Sequence, residues 1–246
     1  MNAQITAIAQ ANFDRHIGQN PYPGRGLVVG RSSVDDAWLQ IYWIMGRSQH
    51  SQNRRFVVEG VELRTEAVDL SLVEDPSLII YEGMLELPGI YLATNGDQTR
   101  TLFDTLQAGG TFDDALGTRE REPDAPNYTP RISAMLNLNK KPVELALSLL
   151  KANRANPELT DRFTFRPAHS PPGLGYCITT YLGDGKPLPS FEGDPLVMPC
   201  VGSPDDVLDA YWAALDETNR VSLAVKHISA SSGDSRIVVQ NRFGDA

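Results

Sequence analysis

The sequence predicts an α+β protein in which antiparallel sheets and helices form separate layers. Three observations predict it. Short strand-like runs punctuated by turn residues fill the first ninety-odd positions. Helix patterns then come in blocks instead of alternating one for one with strands. The C-terminal stretch holds a strongly capped helix followed by a hairpin pattern.

Taken in order, residues 3–17, AQITAIAQANFDRHI, read as an amphipathic helix with Ile5, Ile8 and Ile17 on or near one face. QNPYPG breaks it. Strands are expected at 26–32, 37–45, 55–59, 60–68, 77–86 and 89–94, together forming an antiparallel sheet. AWLQIYWIM is apolar at nearly every position, so that strand is covered on both faces. ELPGIY marks a hairpin turn. NGDQTRTLFDTLQAGG carries apolar Leu102, Phe103 and Leu106 and stops at paired glycines, the signature of a helix C-terminus. TFDDALG opens on a Thr111/Asp114 capping-box arrangement. PRISAMLNL reads as a strand, and KPVELALSLLKANR as a helix with Pro142 in its first turn. Strands follow near 162–167, 174–182 and 195–201. SPDDVLDAYWAALDETNR is the clearest helix, with Ser203 as cap, Pro204 at the first position and two aspartates at the positive helix end. VSLAVKHIS and GDSRIVVQNRF close the chain as a hairpin. Without repeats, low-complexity tracts or a linker, residues 1–246 read as one domain, with 1–20 a helical N-terminal extension.

Composition narrows the function. The net charge of −9 argues against nucleic acid, because a polyanionic partner needs a basic face. It leaves room for a small anion in a local pocket. Two cysteines, Cys177 and Cys200, suit a reducing compartment and form no disulfide framework. The first twenty residues lack a signal-peptide pattern, and no apolar run reaches the length of a membrane span, so the expectation is a cytoplasmic protein without a membrane partner. His16, His50, His169 and His227 show no metal-ligand spacing, and GLGYC lacks dinucleotide-fingerprint spacing.

The arginines stand out. Arg25, Arg31, Arg47, Arg54 and Arg55 fall within thirty-one residues that contain no lysine, and the first lysine of the chain is Lys140. A guanidinium is a rigid fork that matches phosphate oxygens bidentately. Arginines at adjacent strand ends can gather into an anion site; solvated strand ends are the plainer alternative. ATNGDQT leaves a strand and enters a helix, where free N–H groups can hold an anion and Asn95 or Asp97 can read polar groups; a turn with a helix cap is the alternative. NYTPRIS places Arg131 at the start of another strand, just after Glu120 and Glu122 in the charged stretch TREREPDAP, which by itself reads as solvated loop.

Four stretches, YPGRGLVVGRS, MGRSQHSQNR, YLATNGDQTRT and NYTPRIS, occur in this order. Together they resemble the IMP cyclohydrolase-like family, known from archaeal enzymes of purine biosynthesis. The resemblance is clearest from Tyr22 to Asn137. It implies a four-layer αββα fold similar to that of the N-terminal-nucleophile hydrolases, though not their chemistry. It also implies a homo-oligomer and ring closure of formamido-imidazole-carboxamide ribotide (FAICAR) to IMP with loss of water. That reaction is intramolecular and calls for positioning, oxyanion stabilisation and an acid, with no cofactor, metal or covalent intermediate. By motif position, Arg54 resembles the arginine at the reacting end. Glu122 matches the family glutamate, with Glu120 the alternative. Arg25, Arg31, Arg47, Ser48, Asn53, Asn95, Gly96, Asp97, Thr129 and Arg131 are expected around the nucleotide. Two other readings compete: a related cyclisation or amide hydrolysis on another nucleotide-like substrate, and a non-catalytic purine-nucleotide binding protein that keeps the arginine pocket. An acidic partner beside Arg54 favours catalysis.

Overall fold

The computed structural model describes residues 3–73 and 80–244. Two antiparallel sheets stack face to face. The first contains β1 (Gly26–Arg31), β2 (Ala37–Met45), β10 (Leu174–Thr179), β11 (Leu196–Pro199), β12 (Arg220–Ser229) and β13 (Ser235–Asn241), in the spatial order β11-β10-β1-β2-β12-β13. The second runs in chain order through β3 (Arg55–Glu59), β4 (Glu62–Glu66), β5 (Glu82–Leu87), β6 (Ile90–Thr94), β7 (Arg131–Asn137), β8 (Glu144–Ala152) and β9 (Thr160–Phe165).

Alternation along β2 explains the layering. Trp38, Tyr42 and Ile44 point between the sheets and meet Leu136, Leu147 and Ile132. Leu39, Ile41, Trp43 and Met45 point outward to the helix α5 (Pro204–Ala214), which buries Val207, Leu208 and Tyr211 there. All nine residues of β2 are buried, as the apolar run requires. The helix α1 (Ala3–Phe13) packs on β11 in the same outer layer and continues as a π-helical turn, Asp14–Gly18. On the other side, α3 (Gln98–Gln107) and α4 (Phe112–Gly117) cover the seven-stranded sheet through Leu102, Phe112 and Leu116. A short helix, α2 (Gln49–Gln52), joins β2 to β3. The predicted caps form: Ser203 accepts from Asp206 N and Thr111 from Asp114 N, each with the reciprocal bond.

Three expectations change. KPVELALSLLKANR is not a helix: residues 144–152 are β8, paired with β7 and β9. Its Leu, Ala and Glu content favours helix, but the segment lies inside a sheet covered on both faces. Leu145, Leu147 and Leu149 enter the core between the sheets, while Ala146 and Leu150 face the helices. Tertiary burial overrides local propensity there. The early strands do not share one sheet either, because the chain crosses between layers from Met45 to Arg55. On α1, Ala9 is the buried residue and Ile8 is 44% exposed. The expected strand 77–86 begins in part outside the described residues and is observed from Glu82.

This topology gathers strand ends. Gly26 at the start of β1 pairs with Trp43 near the end of β2 and with Thr179 at the end of β10. In the facing sheet, Thr94 at the end of β6 pairs with Ser133 near the start of β7. β1 and β7 touch across the sandwich. Loops that are far apart in sequence therefore open onto one end of the molecule.

Candidate active site

A cavity of about 360 Å³ occupies that end, and Arg25, Arg47, Ser48, Arg54, Glu122 and Thr129 line it. Several residues not expected around the ligand join them: Tyr22, His50, Asp124, Asn127, Tyr181 and Leu188.

Local chemistry places each group. Pro23 and Gly24 turn the chain into β1. Gly24 has φ +73, and a Cβ there would come within 2.2 Å of Thr180 Oγ1 and 2.5 Å of the Tyr181 ring. Only glycine fits this approach. Arg25 N then donates to Thr180 Oγ1 at 3.0 Å, and Thr180 N to Arg25 O at 2.8 Å, so Arg25 lies beside Tyr181. Ser48 caps α2, accepting from Ser51 N while Ser51 Oγ accepts from Ser48 N. That turn carries Arg54 inward, and its Nε donates to Ser51 O at 3.0 Å. Arg54 is 3% exposed, and its Nη1 is buried without an acceptor among the described residues.

Glu122 comes from the charged loop but is buried. Its N–H donates to Thr129 O at 3.0 Å, and Asp124 folds the intervening turn by accepting from Thr129 N at 2.6 Å and from Thr129 Oγ1. Burial raises the Glu122 pKa above the usual carboxylate value, against the pull of Arg25, Arg131 and Arg54 and with a further push from Asp124. Burial, then the neighbouring Arg25, lower that of Arg54. For Arg25 burial acts downward, but Glu122 and the phenols of Tyr81, Tyr181 and Tyr22 outweigh it and the net direction is up. The three side chains thus form one electrostatic unit. Behind it, the Tyr42 and Tyr81 hydroxyls meet at 2.6 Å, and both phenols act on the Arg54 charge. Glu120, by contrast, is exposed and ion-paired with Arg162, so the burial contrast favours Glu122.

The other expected residues lie at the rim or in the frame. Arg47 lies at the cavity rim over the Tyr22 ring, 5.0 Å from its centroid, and pairs with Asp184. Arg131 Nη1 donates to Asp97 Oδ1 at 2.6 Å and to Gln98 Oε1 at 2.8 Å. Gly96 leaves room for that contact: a Cβ there would come within 2.8 Å of Arg131 Nη1 and lie 3.6 Å from Glu122 Oε1. Arg131 therefore acts on Glu122 from beside the cavity. Asp97 is exposed and held by Arg119 and Arg131. Asn95 is consumed by the backbone, donating to Pro130 O at 2.9 Å and accepting from Ile132 N at 2.8 Å. Asn53 clasps Asp69 through both N–H···O bonds, 2.7 and 2.8 Å, on the outer side of α2.

Arg31 is not at this site. It ends β1, about 20 Å from Arg25 at roughly 3.3 Å per strand residue. There it pairs with Asp36 at 2.6 Å, stacks on Trp38 and lines a separate cavity of about 190 Å³. Antiparallel geometry gathers one end of each strand, and Arg31 sits at the other. Arg31→Ala is accordingly expected to leave ligand affinity at the main cavity within about twofold of wild type, as surface changes remote from a site do. A titration that loses affinity in this variant contradicts the placement.

Among the described residues no three His, Cys, Asp or Glu side chains converge to hold a metal ion, and no helix is long and apolar enough to cross a membrane. Cys177 and Cys200 are free and buried, and burial raises both thiol pKa values, Cys200 to about 12. Neither is a thiolate nucleophile at neutral pH.

Tyr22, His50 and Asn127 lie inside YPGRGLVVGRS, MGRSQHSQNR and NYTPRIS, so motif membership is an available signal for them. Tyr181 had none, since only the β1–β10 pairing brings it to Arg25. Comparison with curated proteins gives no match. A family model described as IMP cyclohydrolase-like protein matches residues 22–233, a span that contains every cavity residue named above. The chain belongs to the IMP cyclohydrolase-like family.

Proposed function

We propose that the cavity closes the purine ring of FAICAR, giving IMP and water. The observation that carries this reading is the burial of Arg54 and Glu122 against one cavity, with an unpartnered Arg54 Nη1 and a carboxyl group whose proton is held more tightly than usual. The carboxamide nitrogen attacks the formyl carbon, forming the new C–N bond and turning the formyl oxygen into an oxyanion. Arg54 donates to that oxygen, and its value is greatest in a site that excludes water. One proton leaves the attacking nitrogen and reaches the oxygen. The second leaves the formamido nitrogen as the C–O bond breaks and water departs. Glu122 carries protons between these atoms, accepting one and returning it to the leaving hydroxyl.

Arg47 suits the phosphate. It stands at the rim, partly exposed, and its present partner is a carboxylate that a phosphate dianion can replace. Arg25 lies deeper, between Glu122 and Tyr181, where it biases Glu122 and orders the polar end of the ligand. Holding the two reacting groups of one molecule in contact supplies much of the remaining acceleration.

The test is conversion of FAICAR by the purified chain, with substrate and product separated by chromatography. IMP formation supports the proposal. Tight IMP binding with intact FAICAR identifies a non-catalytic nucleotide binder instead. Because intramolecular attack needs no activated water, activity is expected to survive exhaustive chelation. Loss on chelation, restored by one divalent metal, overturns that expectation.

A further inference from the structure

We propose that Tyr181 is a specificity-determining residue that accepts a hydrogen bond from a ribose hydroxyl of the bound nucleotide. The inference deepens the nucleotide reading above and rests on it. It follows from proton counting along one chain of contacts. A carboxylate offers only acceptors. Thr129 Oγ1 has a single proton and gives it to the Asp124 carboxylate, which also takes the Thr129 N–H at 2.6 Å. The 2.6 Å contact between Thr129 Oγ1 and the Tyr181 hydroxyl therefore runs the other way, with Tyr181 donating. The only hydroxyl proton of Tyr181 is spent, and the lone pairs that remain accept.

The surroundings fix this arrangement. Tyr181 is 2% exposed, stacks on Tyr22 with centroids 5.9 Å apart, and lines the cavity together with Thr129 and Asp124. Burial and Asp124 raise the Tyr181 phenol pKa, outweighing Arg25 and Thr129, so it stays protonated at neutral pH. The cavity is thus polarised, with guanidinium donors at Arg25, Arg47 and Arg54 and acceptors along Asp124, Thr129 and Tyr181. A phosphate dianion brings acceptors and is directed to the guanidinium groups. The ribose hydroxyls are the donors that FAICAR and IMP both keep unchanged through the reaction, so they are the groups an acceptor wall reads throughout turnover.

The experiment is a binding matrix. Wild-type protein and Tyr181→Phe are each titrated with IMP and with its 2′,3′-dideoxy analogue. Wild type is expected to prefer IMP by about tenfold, the scale of one hydrogen bond. Tyr181→Phe is expected to bind both ligands alike, at the wild-type level for the analogue. Unchanged affinity for the analogue in Tyr181→Phe, with the loss confined to IMP, is a result that a purely structural Tyr181 does not give. Wild-type preference retained in folded Tyr181→Phe overturns the assignment while leaving the nucleotide reading in place. If wild-type protein binds neither nucleotide, both fail together.

Discussion

Arg54→Gln and Glu122→Gln are each expected to lower FAICAR turnover by about a hundredfold or more, while IMP affinity stays within a few-fold of wild type. The reason is when the charges appear. Bound IMP has no oxyanion at the former formyl position and no proton in transit, so neither side chain is fully used in a ground-state complex. In the transition state both are. Glutamine keeps the size of each group and removes the function: the fixed charge and forked donors at 54, and the transferable proton at 122. Glu122 is held above its ordinary pKa, chiefly by burial. Its protonated form therefore persists to higher pH than in a free glutamate and is lost as pH rises through that raised value. Glu120→Gln is the matched control. Glu120 faces solvent and Arg162, and its loss is expected to leave turnover near wild type. Stopped assays paired with IMP titrations decide the matter. Folded Arg54 and Glu122 variants with unchanged turnover remove these residues from the chemistry, and a large loss at Glu120 moves the acid to that position.

The second large effect is on binding. Arg47→Lys and Arg25→Lys keep a positive charge but remove the planar fork, and each is expected to weaken IMP by roughly 1.5–3 kcal/mol, the range for hydrogen bonds to charged groups. The two variants differ in kind. Lysine at 47 affects the phosphate contact, so its penalty should nearly vanish for inosine, which has no phosphate. Lysine at 25 also disturbs Glu122 and Arg54, so it should lower turnover beyond the loss in affinity. Unchanged IMP affinity in both variants excludes these arginines from phosphate recognition and leaves the cavity without its proposed anchor.

The sheet alternation, the caps at Thr111 and Ser203, and the helix from Pro204 were legible because each depends on neighbours within a few residues. The segment 144–152 was not, because ELALSLLKA has helical propensity and only its place between β7 and β9 makes it a strand. The candidate site divides the same way. Residue type pointed to Arg25, Arg47 and Arg54, while the family resemblance supplied Glu122, which looked like solvated loop until the turn around Asp124 buried it. Arg31 has the same chemistry as Arg25, and only strand direction separates them. Asn95 and Asn53 carry motif positions but spend their amides on backbone. Tyr181 and Tyr81 were invisible in sequence, since each reaches the cavity region through contacts with residues far along the chain.

A catalytic cavity makes a bond, whereas a binding pocket merely holds its nucleotide. The most direct measurement is single-turnover reaction of FAICAR with excess wild-type protein in chelator-treated buffer, with IMP quantified against time and against protein-free buffer. Stoichiometric IMP is expected at a rate far above buffer, with the rate lowered about a hundredfold or more in Arg54→Gln at saturating protein. FAICAR bound to the wild-type chain yet cyclising no faster than in buffer contradicts a catalytic role.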